Sequence, residues 1–312
     1  MQAGDVLWTP SPERVDKANV TQFIRWLARE RGLNFADYAE LWRWSVRDIE
    51  GFWQALWDYV AIDSSTPHTG VLGKRGMPDA QWFPGARLNY AQHVLRGEQP
   101  GRDALLYMDE TTPLTGLPWP VLANQVRVLA TQLRALGVQP GDRVAAWMPN
   151  IPETMIAMLA TTAIGAIWAC CSPDFGARGA LDRLEQLAPK VLFCVDGYRY
   201  GGKDFDRRDE LKRIITALDG LQQIIYLPRL KPADAALPTP GTLRWDAVLN
   251  QPPVSAAEFH FEQLPFDHPL WILFSSGTTG LPKAIVHGHG GILLEMMKNL
   301  LFHFDLHRDD RL

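Results

Sequence analysis

Ser275-Ser276-Gly277-Thr278-Thr279-Gly280, closed by Lys283, is the part of this 312-residue chain whose residue types and spacing are suited to chemistry. Glycines let consecutive backbone N–H groups turn toward one anion, the hydroxyls add donors, and the lysine adds positive charge. Such a loop holds phosphate. It is not a Walker A sequence, which needs Gly-x-x-x-x-Gly-Lys-Ser/Thr, because Pro282 precedes the lysine and Ala284 follows it. Ordinary P-loop kinases and GTPases are therefore disfavoured. Clusters of Ser, Thr and Gly often build nothing more than surface turns. Here the apolar run Trp271-Ile272-Leu273-Phe274 reads as a buried strand feeding the loop, and that context favours the phosphate reading.

Three further groups are candidates. Arg199, in Asp196-Gly197-Tyr198-Arg199 just after an apolar strand, could meet an anion or could be a solvated, ion-paired residue. His287 and His289 flank Gly288, and with no cysteine or acidic third ligand beside them they are poor zinc ligands, so no metal site is expected from them. Cys170, Cys171 and Cys194 lie in apolar surroundings, and an odd count with two adjacent members reads as buried thiols, not as a disulfide framework. Residues 1–10 have no basic or apolar stretch of the signal-peptide kind. Together with the thiols this leads us to expect the reducing cytoplasm.

The elements that must position these residues show an alternating pattern. Strands are expected at 104–108, 143–148, 166–171, 191–195 and 222–227, with helices at 121–136, 152–164, 177–188 and 208–218 between them. Apolar strands separated by helices imply parallel βαβ crossovers and an α/β sheet covered on both faces. Ligands of such sheets gather beyond the carboxyl ends of the strands, where the loop after Phe274 falls. Pro228 to Thr242 reads as an exposed connection. Ahead of the sheet, residues 1–85 read as helical and hold seven of the twelve tryptophans, which at helical spacing are more often packing than a ligand box. Val20, Phe23, Ile24 and Leu27 form one face before Gly32, and Phe35, Tyr38, Leu41 and Trp42 a second. A third helix is expected to start at Ser45, with Asp48 completing a capping box, and to bury Ile49, Phe52, Trp53, Leu56 and Val60, with Trp57 alongside.

The net charge of −4 gives no basic stripe of the kind that binds nucleic acid, so any nucleotide is expected to be a small ligand. The apolar stretch Met155 to Cys171 would span about 26 Å as one helix, short of the roughly 30 Å of a bilayer core, and Gly165 divides it. No membrane insertion is expected.

Three further segments stand beside the loop: Trp82-Phe83-Pro84-Gly85-Ala86-Arg87-Leu88-Asn89-Tyr90-Ala91, Trp147-Met148-Pro149-Asn150-Ile151-Pro152-Glu153, and the tryptophan-rich opening with Val6-Leu7-Trp8-Thr9-Pro10. With Ser275 to Lys283 they resemble the adenylate-forming acyl-CoA synthetases over essentially the whole chain. The opening and the Trp82 segment narrow the resemblance to the branch that activates acetate, propionate and acetoacetate, nearest to the members acting on acetoacetate. The resemblance implies the α/β amino-terminal domain of those enzymes over residues 101–312, incomplete at its carboxyl end, preceded by a helical segment over 1–100. It implies a ligase that makes an acyl-adenylate from ATP and passes the acyl group to CoA, with acetoacetate, ATP, CoA and Mg²⁺ as its small molecules. Ser275, Ser276, Gly277, Thr278, Thr279, Gly280 and Lys283 would hold the ATP phosphates, Thr278 and Lys283 supporting the transition state. Arg199 would meet the CoA nucleotide phosphate, and His287 and His289 would border the acyl pocket. Ser172-Pro173-Asp174-Phe175 stands where the acetyl-CoA synthetases carry Phe-Gly-Gly-Phe. The Tyr-Gly-x-Thr-Glu segment with its Mg²⁺-binding acid, and a carboxyl-terminal domain with an essential lysine, follow this point in the family, so the chain reads as the first half of a longer ligase, inactive alone. An acetyl- or propionyl-CoA synthetase, and a noncatalytic nucleotide-binding module using the same loop, are the alternatives. Residues from about 285 onward are expected to be held more loosely than the strand at 143–148.

Overall fold

A computed structural model describes residues 2, 4–232, 236–275 and 280–312. They divide into two compact units, residues 1–86 with 290–312, and residues 87–289. The first unit carries α1 (Pro12–Lys17), α2 (Asn19–Arg31), α3 (Tyr38–Arg47) and α4 (Ile49–Tyr59), then the short antiparallel pair β1 (Leu72–Lys74) and β2 (Gln81–Trp82). Gly32 stops α2 in the left-handed region, at φ 67°, as a glycine without Cβ can. Phe23, Leu27, Leu41, Phe52 and Ala55 form the core of this unit.

Three expectations change here. Ser45 lies inside α3 with its hydroxyl bonded to the Trp42 carbonyl, and the cap of α4 is Asp48, whose carboxylate accepts the Gly51 N–H at 2.9 Å. An aspartate placed directly before the first helical residue caps without a serine upstream. Of the face containing Phe35, Tyr38, Leu41 and Trp42 only Leu41 is buried, and in α4 Trp57 is buried while Ile49 is exposed. The helical reading ends at Tyr59, because Pro67, Gly70, Gly73, Gly76, Pro78, Pro84 and Gly85 break any further periodicity.

The second unit begins with β3 (Arg87–Leu88), α5 (Tyr90–Leu95), β4 (Asp103–Tyr107), β5 (Thr115–Pro118) and α6 (Trp119–Ala135). It continues with β6 (Arg143–Trp147), α7 (Pro152–Ala163), β7 (Ile167–Cys171), α8 (Gly176–Leu184) and β8 (Val191–Val195). Then come β9 (Gly197–Tyr200), β10 (Lys203–Asp206), α9 (Arg208–Ala217), β11 (Gln223–Leu227), β12 (Leu243–Arg244), α10 (Trp245–Leu249), β13 (Leu264–Pro265), β14 (Pro269–Ser275) and β15 (Lys283–Gly288). Seven strands make one sheet in the order β12-β11-β8-β6-β7-β14-β15, parallel throughout except for the antiparallel pair β14–β15.

Both faces of that sheet are covered, as alternation along β6 shows. Val144 and Ala146 join the core made with α6 and α7, whereas Ala145 and Trp147 join the core made with α8 and α9. This is the α/β architecture the periodicity implies. Burial pushes the Cys170 thiol up to about 11 and Cys171 to about 12, and raises Cys194 as well, so all three remain thiols. The helix α11 (His289–Lys298) leads out of β15 and ends in a π-helical turn, Asn299–His303. The sequence offers residues 290–312 no evident partner, and the structure supplies one. Phe302 stacks on Phe23 with ring centroids 4.7 Å apart, and Asn19 bonds to Asp305 at 2.7 Å and to the Leu306 carbonyl at 3.0 Å.

Candidate active site

Because β14 runs parallel to β7, its carboxyl end lies on the same edge of the sheet as those of β6, β7, β8 and β11. Ser275 is the last residue of β14 and pairs with Lys283, the first of β15, so both residues that bound the hydroxyl-rich segment lie at that edge. Ser276, Gly277, Thr278 and Thr279 lie outside the described residues. Gly280 stands at φ 89°, a conformation that L side chains avoid. Lys283 is exposed, and the Pro282 carbonyl before it accepts from Gln186 Nε2 at 3.0 Å, which ties the loop to the end of α8.

Of the two histidines, His287 lies on β15 and His289 opens α11. His287 pairs with Trp271, four positions back from Ser275, so roughly 13 Å of strand separates it from the loop. Its Nδ1 accepts from Trp271 Nε1 at 2.9 Å, leaving the proton of the neutral ring on Nε2. Trp271 in turn meets Tyr90 edge to face at 5.7 Å. His289 is fully buried and its Nδ1 accepts the Tyr90 N–H at 3.1 Å, while its Nε2 is buried without a partner. Burial first, and the neighbouring His268 second, push its pKa down to about 3, so the ring is neutral at any ordinary pH. The structure thus gathers both rings around Trp271 and Tyr90, apart from the paired residues Ser275 and Lys283.

Arg199 lies on β9, in a hairpin with β10 that the sequence reading missed. It lines a cavity of about 710 Å³ beyond the carboxyl ends of the parallel strands, together with Glu110, Asn150, Asp174, Tyr198 and Arg229. Its cross-strand neighbour Asp204 approaches only to 3.7 Å, and both side chains are about half exposed. The base of the hairpin is firmer: Tyr198 and Phe205 stack at 5.1 Å, and Arg207 donates to the Tyr198 hydroxyl at 3.1 Å and pairs with Glu210 at 2.9 Å. Hydrogen bonds from Tyr198 and Ser172 lower the Asp174 carboxyl. The turn is held from outside, where Glu110 accepts the N–H groups of Gly201 and Gly202 at 2.5 and 2.8 Å.

Opposite the hairpin, the buried Asp196 carboxylate accepts the N–H groups of Arg229, Leu230 and Lys231 at 2.7, 2.8 and 2.7 Å. Arg229 pairs with Asp109. Burial works to raise the Asp109 carboxyl, but hydrogen bonds from Thr111 and Thr112 outweigh it and bring the pKa to about 2. Neither Glu110 nor Asp196 was foreseen, since each bonds to backbone N–H groups, which carry no sequence signal. Among the described residues no three His, Cys, Asp or Glu side chains come together to hold a metal ion, so these residues do not by themselves form a Mg²⁺ site.

The comparisons with known proteins agree with one another. The model for the acetyl-coenzyme A synthetase N-terminus matches residues 38–94, and that for AMP-binding enzymes matches residues 95–312. The acetoacetyl-coenzyme A synthetase of Rhizobium meliloti (strain 1021) is 42% identical over 314 residues, covering 100% of this chain and 47% of the relative. The acetoacetyl-CoA synthetase of Rattus norvegicus is 36% identical, over 98% of this chain and 46% of its own length. The solved acetoacetyl-CoA synthetase from Streptomyces lividans superposes with a TM-score of 0.92 at 49% identity, over 98% of this chain and 47% of that one. The chain therefore spans about half the length of the relatives it matches. With a seven-stranded sheet of this order and a family model matched over residues 95–312, the chain belongs to the AMP-binding enzyme family.

Proposed function

We propose that the chain is the amino-terminal portion of an acetoacetate:CoA ligase that uses ATP. The observation carrying this is similarity, along essentially its full length, to relatives and a solved structure named acetoacetyl-CoA synthetase. In the reaction a carboxylate oxygen attacks the α-phosphorus of ATP, pyrophosphate leaves, and the CoA thiol then displaces AMP from the acyl carbon. Charge develops on the departing pyrophosphate, and donors fixed around it stabilise that charge without reorganising. Ser275, Ser276, Gly277, Thr278, Thr279, Gly280 and Lys283 are assigned to the ATP phosphates, and Arg199 to the CoA nucleotide phosphate. His287 and His289 are assigned to the border of the acyl pocket, acting through Trp271 and Tyr90. Mg²⁺ accompanies ATP, and the small molecules acetoacetate, ATP and CoA are the partners, in the cytoplasm. Residues 1–100 are assigned to the amino-terminal segment of the acetyl-CoA synthetase type, whose run of helices ends at Tyr59, and 101–312 to the AMP-binding α/β domain.

Exchange of labelled pyrophosphate into ATP, with a polypeptide of the relatives' full length, tests this directly. Exchange that requires acetoacetate and is far slower with acetate or propionate is the expected result. Exchange driven equally by acetate or propionate would replace the substrate, and ATP binding without any exchange would replace the activity. A polypeptide limited to these 312 residues is expected to make no acetoacetyl-CoA, because proximity catalysis fails when part of the groups that orient ATP and acid is missing. AMP formation by it, dependent on acetoacetate and CoA, would show otherwise.

A further inference from the structure

Given the assignment of Arg199 to CoA, on which this step rests, we propose that Glu110 is a positioning residue for recognition of the CoA nucleotide phosphate. Its carboxylate fixes the Gly201-Gly202 turn and so holds Arg199 at the rim of the cavity. The hairpin of β9 and β10 has four residue pairs, and a two-stranded hairpin alone is marginal in water. Its turn consists of two glycines at φ 60° and 72°, residues that on their own would sample many conformations. Arg199 lies two residues before the first of them, and among the described residues its ionic partner is the distant, half-exposed Asp204, a pair worth little in water. Its Nη2 also donates to the Gly202 carbonyl at 3.5 Å, so the place of the guanidinium follows the turn.

Arg207, Tyr198 and Phe205 hold the base of the hairpin, leaving the turn to Glu110. Both carboxylate oxygens are engaged with N–H groups, and bonds to an ionised acceptor are stronger than neutral ones. Glu110 is itself placed by its neighbour Asp109, which accepts from the N–H groups of Thr111 and Thr112 and pairs with Arg229. An acid at the edge of a phosphate site is thus accounted for by the turn it fastens. A Gln at this position keeps one acceptor and offers an NH₂ where the second N–H needs an oxygen.

Calorimetric titration of the 312-residue protein with CoA, and with dephospho-CoA that lacks the 3′-phosphate, tests the assignment. Wild-type protein is expected to prefer CoA, and Arg199→Ala to lose that preference. Glu110→Gln is expected to weaken CoA by about tenfold, the loss of roughly one charged hydrogen bond, and to leave dephospho-CoA unchanged. Equal weakening of both ligands would make Glu110 a structural residue only and overturn its positioning role. An unchanged Glu110→Gln beside a weakened Arg199→Ala would also overturn it while leaving Arg199 in place. Wild-type protein without preference for CoA, matched by Arg199→Ala, would remove the Arg199 assignment and Glu110 with it.

Discussion

Lys283 and Thr278 differ in how much of their role can be read from the fold, although the same chemistry is assigned to both. Lys283 is fixed at its Cα by pairing with Ser275 and its side chain is exposed, with no ion pair among the described residues, which suits a group that engages only when a phosphate arrives. Contacts that strengthen as charge develops on the leaving pyrophosphate change kcat more than they change binding of the acid. In a polypeptide of the relatives' full length, Lys283→Ala and Thr278→Ala are each expected to slow adenylation by about 10²- to 10³-fold while acetoacetate affinity changes little. Pyrophosphate exchange measures this, and wild-type rates in both variants would take the loop out of the mechanism. The loop could be put forward from the sequence because its chemistry is local: glycines and hydroxyls in consecutive positions, with a lysine three residues on, suit an anion whatever the rest of the chain does. Glu110 and Asp196 were not legible, because a carboxylate that binds backbone N–H groups 91 or 33 positions away has no partner residue type to reveal it.

The hairpin of β9 and β10 makes the corresponding point about elements. Gly197 pairs with Asp206, and a Cβ at Gly197 would stand 2.2 Å from the Phe205 carbonyl oxygen and 2.9 Å from Leu230 Cδ2. The nearest obstacle is backbone, so the two strands would have to part. Gly197→Ala is expected to destabilise the protein by about 1 to 3 kcal/mol, in the range of other overpacked sites, and to abolish any preference for CoA over dephospho-CoA. Gly291→Ala provides the opposite sign, since that helical position has open space around it and Ala lowers the entropy of the unfolded chain by about 0.4 to 1 kcal/mol. Urea unfolding of the two variants checks both, and a stable Gly197→Ala protein would mean that the hairpin tolerates separation. The strand Val191–Val195 could be read from the sequence with its bounds intact because it is apolar on both faces and flanked by breakers. The adjoining hairpin could not, since Tyr198, Arg199, Lys203 and Asp204 alternate no apolar face and its pairing depends on two glycines. The cap at Asp48 shows the same limit, because Ser45 and Asp48 have the spacing of a capping box and only the end of α3 decides which residue is outside a helix.

For the molecule as a whole, pairing was what the sequence concealed: periodicity shows that a segment has an apolar face and does not show what lies against it. Residues 290–312 gained a partner in α2 that way, and His289 gained a buried environment that its polar side chain did not suggest. That burial gives the protein a pH dependence whose sign can be worked out. In the unfolded chain the ring takes up a proton near pH 6.5, whereas in the folded protein it stays neutral down to about 3. Between those values the unfolded state binds more protons, so stability is fully present above about 6.5 and falls as the pH is lowered toward 3. The contribution of this one group is at most about 1.4 kcal/mol per pH unit inside that window. The depressed carboxyls of Asp109 and Asp206 act in the same direction but at lower pH, because their loss begins only as the pH falls below the unfolded value of 3.8. His289→Gln separates the two effects, since its side-chain oxygen can still accept the Tyr90 N–H while nothing at the position titrates. Urea midpoints measured from pH 7.5 to 4.5 are expected to fall steeply for the wild type and more gently for the variant, whatever constant offset the substitution adds. Parallel curves would show that the folded protein admits a proton to His289 without penalty, and so that the ring is less enclosed than its position between Tyr90 and His268 implies.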